Sequence, residues 1–194
     1  TGVRLQSAWN TIPHVTQYNE ADITQLDKIR KTMKKDGEVD GIKITFLPFL
    51  IKAATSVLQE MPIFNSSLDH TKENLILKKY YHIGIAVNTD GGLVVPVVRD
   101  VEKKSIFDLS QELMDISNRA RNKKLKPNEM KGGTFTISSL GGIGGTAFSP
   151  IVNPPEVAIL GISRSALRPV YNPESSNFVP RLIMPFSLSY DHRV

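Results

Sequence analysis

The side chain best suited to proton transfer lies close to the end of the chain. His192 stands between an acid and an arginine in the run Ser189-Tyr190-Asp191-His192-Arg193. An imidazole can act as a general acid or base near neutral pH, and the apolar, strand-like run before it could fix its orientation. A histidine at a strand end is often structural, so the residues alone leave a catalytic and a structural interpretation open.

A second segment combines hydroxyl groups with glycines. Residues 134–146 read Thr-Phe-Thr-Ile-Ser-Ser-Leu-Gly-Gly-Ile-Gly-Gly-Thr, which predicts a strand over residues 134–140 that ends in a glycine-rich bend. Glycines let a ligand approach the backbone, but they also make tight turns, and both interpretations fit. The segment lacks the helix that a dinucleotide-binding fingerprint requires and the Gly-Lys-Ser/Thr ending of a P-loop.

The remaining histidines carry weaker signals. His14 follows a proline and is either a ligand contact or, more commonly in such a place, a packed structural residue. His82 opens an alternating strand and His70 lies in a polar turn, so we expect neither to be functional. No histidine pair has the spacing of a metal site such as His-Glu-x-x-His, and we predict no protein-built metal site.

Composition narrows the class of protein. The chain has 194 residues, a net charge of +5 and no cysteine, which suits one domain and excludes disulfides and a cysteine nucleophile. No apolar stretch approaches the roughly 20 residues that span a bilayer. The basic residues form short pairs without interleaved aromatics, so we expect solvated faces or an anionic cofactor rather than nucleic acid.

The hydrophobic periodicity predicts a mixture of helices and strands. Amphipathic helices are predicted over residues 24–35 and from Ser105 to about residue 120. Residues 46–59 are apolar on nearly every face, which predicts a buried helix capped by Thr45. Strands are predicted over residues 74–78, 82–88, 93–98, 134–140, 157–162 and 182–190. The fold class is therefore α/β or α+β.

Six motifs in order resemble the catalytic core domain of the dihydrolipoamide acyltransferases, the E2 components of the 2-oxo acid dehydrogenase complexes. They are Ile12-Pro13-His14-Val15-Thr16, Phe64-Asn65-Ser66-Ser67, Ile83-Gly84-Ile85-Ala86-Val87 with Gly92-Leu93-Val94-Val95-Pro96-Val97, Gly132-Gly133-Thr134-Phe135-Thr136-Ile137-Ser138-Ser139, Pro154-Pro155-Glu156-Val157-Ala158-Ile159-Leu160-Gly161 and Ser189-Tyr190-Asp191-His192-Arg193. Within the family, Ser138-Ser139-Leu140-Gly141 resembles the acetyl-transferring type of the pyruvate dehydrogenase complex. A branched-chain or other acyl subtype remains the alternative.

The resemblance implies a fold and a reaction. The fold is an α+β two-layer sandwich with a mixed sheet. It is shared with chloramphenicol acetyltransferase and is typical of acyltransferases that depend on coenzyme A. The reaction moves an acyl group between a dihydrolipoyl arm and coenzyme A, in a channel between neighbouring subunits of a trimer. His192 is then the general base for the attacking thiol, and Ser138 donates a hydrogen bond to the oxyanion in the adjacent subunit's site. Asn153, Pro154 and Pro155 are candidates for lining the entrance of coenzyme A.

The resemblance also implies partners and neighbouring segments. Residues 1–194 are expected to form one catalytic domain, with the family motif continuing past Val194 through an acid and a terminal helix, and with lipoyl and subunit-binding domains upstream. The chain alone is then expected to be poorly active or inactive. The core is expected to be both acyltransferase and oligomeric scaffold of the complex, and a catalytically impaired core that serves only as a trimeric scaffold is the alternative. Expected partners are the lipoyl domain and the E1 and E3 components, around a homotrimer that builds a 24-subunit cubic core. The expected compartment is the bacterial cytoplasm, or the mitochondrial matrix in a eukaryote.

A serine hydrolase built on Ser138 and His192 is a weaker alternative. The residues around Ser138 do not form the Gly-x-Ser-x-Gly elbow that exposes such a nucleophile.

Overall fold

One long strand organises the main sheet. The computed structural model describes residues 2–38 and 41–194. In it, β11 (Asn177–Asp191) pairs antiparallel with β1 (His14–Asp22), with β9 (Ala158–Ile162) and, over its first half, with β10 (Ala166–Asn172). Beyond β9 the sheet continues through β8 (Phe135–Ser139), β4 (Ile83–Ile85) and β7 (Val97–Val98). The β8 strand runs parallel to β4 and β9 while the other pairs are antiparallel, so the sheet is mixed.

The other elements flank this sheet. Two short hairpins are formed by β2 (Ser66–Leu68) with β3 (Leu75–Leu77) and by β5 (Val87–Thr89) with β6 (Gly92–Val94). The α-helices are α1 (Gly2–Thr11), α2 (Thr24–Glu38), α3 (Leu47–Glu60) and α4 (Ile106–Arg121), and short 3₁₀ turns occupy Pro62–Asn65, Val101–Lys103 and Pro127–Met130.

The hydrophobic core lies between one face of the sheet and the helices. Fully buried side chains of α3 and α4, such as Ile51 and Leu109, meet Phe135 and Ile137 of β8 and Met184 of β11. Burial of apolar surface supplies the main drive for this layering. Among the described residues no helix is both long and apolar enough to cross a membrane.

The opposite face of the sheet is covered by the chain between β8 and β9. The Ser187 hydroxyl donates to the Phe148 carbonyl at 2.7 Å, and the ring of Phe148 lies directly over Gly161. Helix α1 closes the edge of this layer, where Ala8 packs with Val152 in a second, smaller core. The part of the sheet around β9 and the second half of β11 is therefore covered on both sides.

Most of the predicted elements are present, with shifted ends. Helix α4 begins at Ile106, one residue after the predicted start, and Ser105 is its N-cap and forms a capping box with Asp108. Helix α2 runs three residues past its predicted end. Strands are found within or overlapping all six predicted ranges. The structure thus confirms the predicted mixed α/β class.

Two predictions for helix α3 are wrong. Its N-cap is Phe46 without a side-chain cap bond, so Thr45 does not cap it. The helix is also not buried all round, because Val57 is 50% exposed. Its open side and the sheet form an apolar groove of about 480 Å³ lined with Leu50, Leu160 and other apolar residues. Apolar composition therefore overstated burial, since a helix in a two-layer fold contacts the sheet along one stripe only.

Four of the described helices and strands, α1, β1, β2 and β10, have no counterpart in the predictions. Strands β1 and β10 expose most of their residues and contain charged groups, so they lack the alternation that marks a half-buried strand. Their backbone partners on β11 hold them in place.

We predict that Gly161→Ala will disturb the contact between the sheet and its covering chain. A Cβ atom there would lie 2.5 Å from Ser187 Oγ and 2.8 Å from the Phe148 ring, so one of them must move. The free energy of unfolding, measured by urea denaturation, should fall by about 1–3 kcal/mol.

Gly142→Ala is the matched control. Nothing lies within 4 Å of a Cβ at that position, so its effect should stay within about 0.5 kcal/mol. Equal losses in the two variants would contradict the packing described at Gly161.

Candidate active site

His192 follows directly after β11 and is anchored through its backbone. Its N–H donates to the Pro13 carbonyl at 3.0 Å, and the N–H of Asp191 donates to the Val157 carbonyl at 2.8 Å. The side chain itself is exposed, and its ring centroid lies 5.9 Å from that of Tyr190. The structure therefore presents the imidazole at the surface from a fixed main chain.

The residues on either side of His192 form an ion pair. Arg193 Nε and Nη2 donate to the two carboxylate oxygens of Asp191 at 2.9 and 2.6 Å, and the Arg193 N–H adds a third bond at 3.1 Å. Burial acts to raise the pKa of Asp191, but the hydrogen bonds and charge of Arg193 hold it below its ordinary value. The two side chains thus lock the turn that carries His192.

Ser138 lies near the end of β8 and is half-buried. It is in register with Gly161 of β9, which is in turn in register with Ser187 of β11. Side chains alternate between the faces of a strand, so Ser138 shares the face of Ser187, opposite the core residues Phe135 and Ile137. The hydroxyl is therefore turned away from the helix layer.

One chain does not bring Ser138 and His192 together. His192 lies five residues beyond Ser187, the β11 residue in the row of Ser138. At about 3.4 Å per residue this is roughly 17 Å along the strand, and two strand spacings of about 4.8 Å separate them sideways. Neither side chain can span that distance, so any site that uses both groups needs a second copy of the chain.

The glycine-rich bend after Ser138 is a tight turn. The N–H groups of Ile143 and Gly144 both donate to the Leu140 carbonyl at 2.9 Å. Gly144 and Gly145 have φ of 121° and 89°, a region that favours glycine. The turn interpretation is confirmed, while close approach by a ligand stays a prediction.

The cofactor candidates lie beside the His192 segment. Pro154 and Pro155 line a cavity of about 170 Å³ together with Lys72, Asp191 and Arg193. Asn153 does not line it; its amide instead donates to a carboxylate oxygen of Glu156 at 3.0 Å.

Sequence reasoning missed Glu156. This acid is only 4% exposed and accepts a second hydrogen bond, at 2.6 Å, from the Thr136 hydroxyl. Burial raises the pKa of Glu156 to about 7, although both hydrogen bonds and the charges of Lys78 and Arg4 act in the opposite direction. The only available signal was an acid directly after two prolines and before an apolar strand.

The other histidines have structural surroundings. His14 Nδ1 lies 2.9 Å from the Ile12 carbonyl, its Nε2 accepts from the Val152 N–H at 3.0 Å, and Trp9 stacks on the ring. His82 Nδ1 accepts from the Asp100 N–H at 3.1 Å. These contacts confirm the predicted packed role of both, and His70 is exposed as expected.

Comparison with known proteins gives a match over the whole chain. The profile of the family described as 2-oxoacid dehydrogenases acyltransferase (catalytic domain) matches residues 1–194. The dihydrolipoyllysine-residue acetyltransferase component of the pyruvate dehydrogenase complex from Cupriavidus necator is 51% identical over 194 residues. The chain spans about a third of that relative's length, 34%.

Solved structures agree with this match. A structure of dihydrolipoamide acetyltransferase from Azotobacter vinelandii, from a study of a serine, a histidine and an asparagine in its catalytic mechanism, has a TM-score of 0.96 and 52% identity, with 100% of this chain and 79% of that chain covered. The cubic core of a pyruvate dehydrogenase multienzyme complex has a TM-score of 0.96, 51% identity and the same coverage. Chloramphenicol acetyltransferase, at 12% identity, a TM-score of 0.60 and coverage of 98% and 85%, confirms the predicted fold.

We predict that Arg193→Met will destabilise the turn that carries His192. It leaves the Asp191 carboxylate, whose side chain is 3% exposed, without its charged partner. The free energy of unfolding should fall by about 2 kcal/mol at pH 7, below the full cost of breaking a buried pair because Arg193 is partly exposed.

The pH dependence provides a second measurement. The folded-state pKa of Asp191 is lowered from 3.8, so the ion pair stabilises the fold above that value and the contribution disappears as pH falls through the folded pKa. Arg193→Met and wild type should converge in acid. Arg168→Met, which removes an exposed pair with Glu20, is the control and should cost under about 1 kcal/mol; an equal effect at both sites would refute the prediction.

Proposed function

The chain belongs to the 2-oxoacid dehydrogenase acyltransferase family, and on this premise we propose that it transfers an acetyl group between a dihydrolipoyl arm and coenzyme A. The observation that carries the proposal is the match over all 194 residues, at 51% identity, to an acetyltransferase component of the pyruvate dehydrogenase complex. The family description covers acyltransferases in general. The acetyl subtype is proposed from the similarity to an acetyltransferase component.

In the proposed mechanism His192 is the general base. A thiol with an ordinary pKa near 8.5 is mostly protonated at neutral pH. The His192 imidazole removes that proton as the sulfur attacks the thioester carbonyl, and the imidazolium then returns it to the departing thiolate. General base catalysis of this kind is worth about 10²- to 10⁴-fold. The exposed ring and anchored backbone of His192 suit a group that meets two different thiols in turn.

Ser138 is the proposed oxyanion donor. Attack on the thioester carbonyl places negative charge on its oxygen, and a hydroxyl already aimed at that position stabilises the transition state more than the substrate. One such donor contributes about 2.7–4 kcal/mol. The study of a serine and a histidine in the catalytic mechanism of the Azotobacter vinelandii relative supports a catalytic use of one residue of each type.

The separation of the two groups supports a site shared between copies. Because one chain holds Ser138 and His192 on different parts of the sheet, we propose that His192 of one subunit meets Ser138 of its neighbour. A ring of three subunits would then contain three equivalent sites, each built from two chains. The cubic core formed by a relative supports further assembly of such trimers.

The entrance for coenzyme A is proposed at the cavity beside Pro154 and Pro155. Lys72 and Arg193 line it, and Arg4 Nη2 donates to the Pro154 carbonyl at 2.7 Å. Because Arg193 is paired with Asp191 and the acids Asp69 and Glu156 also line the cavity, Lys72 and Arg4 are the cations proposed to meet the phosphates of coenzyme A. The bacterial origin of the relative favours action in a bacterial cytoplasm.

The description of that relative as a component of the pyruvate dehydrogenase complex favours a lipoyl domain and the E1 and E3 components as partners.

Mixing two inactive variants tests the shared site. In the protein that contains this chain, His192→Ala and Ser138→Ala should each lower acetyl transfer from acetyl coenzyme A to dihydrolipoamide at least about 10²-fold. Co-assembled subunits should recover up to about a quarter of wild-type activity, because one in four interfaces then combines an intact His192 with an intact Ser138.

The matched control mixes His192→Ala with the double variant His192→Ala/Ser138→Ala, which contains no intact histidine. Recovery should be absent there. If the first mixture stays inactive although both variants co-assemble, the two groups do not form a site between subunits.

Native mass spectrometry tests the assembly. We expect a trimer or multiples of three, because the proposed site is completed by a neighbour. A folded, monomeric protein with full acetyltransferase activity would rule out the shared arrangement.

A further inference from the structure

Glu156 is a buried acid that the proposed chemistry does not use. An ionisable side chain with only 4% exposure costs free energy unless it is hydrogen-bonded. Its carboxylate lies outside the helix-facing core, among polar groups on the opposite side of the sheet. Because burial of an ionisable group costs free energy, we expect Glu156 to have a role that an apolar residue could not fill.

The carboxylate joins two segments of the candidate site. Thr136 of β8 donates to Oε2 at 2.6 Å, and Asn153 donates to Oε1 at 3.0 Å. The Glu156 N–H donates back to the Asn153 carbonyl at 3.0 Å. One side chain therefore ties the segment proposed to line the coenzyme A entrance to the strand that carries Ser138.

The hydrogen bond between Glu156 and Thr136 lies in a closely packed place. Thr136 precedes Ser138 by two residues, so both side chains project from the same face of β8. A Cβ on Gly84 would lie 2.7 Å from the Thr136 hydroxyl oxygen, and one on Gly133 would lie 2.9 Å from Glu156 Oε1. The two glycines leave room for this hydroxyl and this carboxylate and for little else.

The segment that contains Glu156 is also hydrogen-bonded to the turn that carries His192. Val157, the next residue, accepts the N–H of Asp191 through its carbonyl at 2.8 Å, and Asp191 directly precedes His192. Glu156 also lines the cavity formed with Asp191 and Arg193. Only a few bonds therefore connect Glu156 to the backbone that holds the imidazole.

We infer that Glu156 is a positioning residue, which fixes Ser138 through Thr136 and the His192 turn through the segment of residues 153–157. This inference rests on the proposed acetyl transfer. Under the shared arrangement, Ser138 and His192 of one chain serve different sites of the trimer, so Glu156 supports two sites at once. It touches neither substrate in this role and acts through its neighbours.

The charged groups around the carboxylate come from several elements. Arg4 of α1 and Lys78 after β3 both act on it, and Asp191, Arg193, Asp69 and Lys72 share its cavity. Burial dominates over these groups and raises the pKa of Glu156 to about 7. The carboxyl group therefore changes its protonation in the range where acetyl transfer would be measured.

The test compares Glu156→Gln with Glu156→Ala in the protein that contains this chain. Glutamine can accept from Asn153 and donate to Thr136, so its kcat should stay within about threefold of wild type. Alanine loses both bonds, and a displaced catalytic group can cost up to about 10²-fold, so we expect kcat to fall at least about tenfold. Glu174→Gln, at an exposed position of the β10–β11 hairpin, should change nothing.

Stability against pH tests the burial of the Glu156 carboxyl group, from which the inference is argued. Its folded-state pKa lies above the ordinary value of 4.5, so its stabilisation is complete below that value and is lost as pH rises through about 7. The melting temperature of Glu156→Gln relative to wild type should therefore increase from pH 5 to pH 8. A constant difference over that range would contradict the buried setting of this carboxyl group.

A second pair of variants covers the case in which Glu156→Ala does not fold. Thr136→Val removes the hydroxyl at nearly constant size and should lower kcat. Thr136→Ser keeps the hydroxyl and should retain the wild-type kcat. Wild-type kcat and KM for coenzyme A in Thr136→Val would overturn the positioning role, and so would the same result in a folded Glu156→Ala. Absence of acetyl transfer in the wild-type protein would instead refute the proposed function on which the inference rests.

Discussion

The hydrogen-bond register of β11 is the constraint on which the rest of the structure depends. This strand of fifteen residues binds β1 on one edge and β9 and β10 on the other, and β9 carries β8 beside it. The register fixes Ser138 in the row of Ser187 and leaves His192 past the strand end. A slip by one residue would turn every side chain of β11 to the opposite face, which makes this arrangement hard to change.

The two faces of the sheet differ in the side chains that line them. The helix side is apolar and supplies most of the buried surface. The other side carries a row of buried polar groups, including Thr136, Glu156, Ser187, Ser189 and Asp191. Their bonds to the covering chain and to each other, such as Ser187 to Phe148 and Arg193 to Asp191, offset the cost of burial. Ser138, the proposed oxyanion donor, therefore lies on the face that contributes less to the apolar core.

The proposed shared site requires oligomerisation. If His192 is the base and Ser138 the oxyanion donor, as proposed, a chain that holds them apart completes a site only by contact with another copy, and a closed ring uses each group once. Assembly and acyl transfer would then be inseparable properties of the domain. The cubic core of a relative with a TM-score of 0.96 is consistent with a domain that serves both.

The sequence by itself determined the local structure and the family. The spacing of apolar residues located α4, and the alternation of Ile83, Ile85 and Val87 located β4 and the start of β5. Six motifs in order indicated the acyltransferase family. These signals depend on neighbours within a few residues. Only the tertiary structure decided which residues meet. The edge strand β1, the open side of α3, the buried Glu156 and the separation of Ser138 from His192 all depend on partners that are distant along the chain, and hydrogen-bond register between such partners leaves no periodic pattern in the sequence.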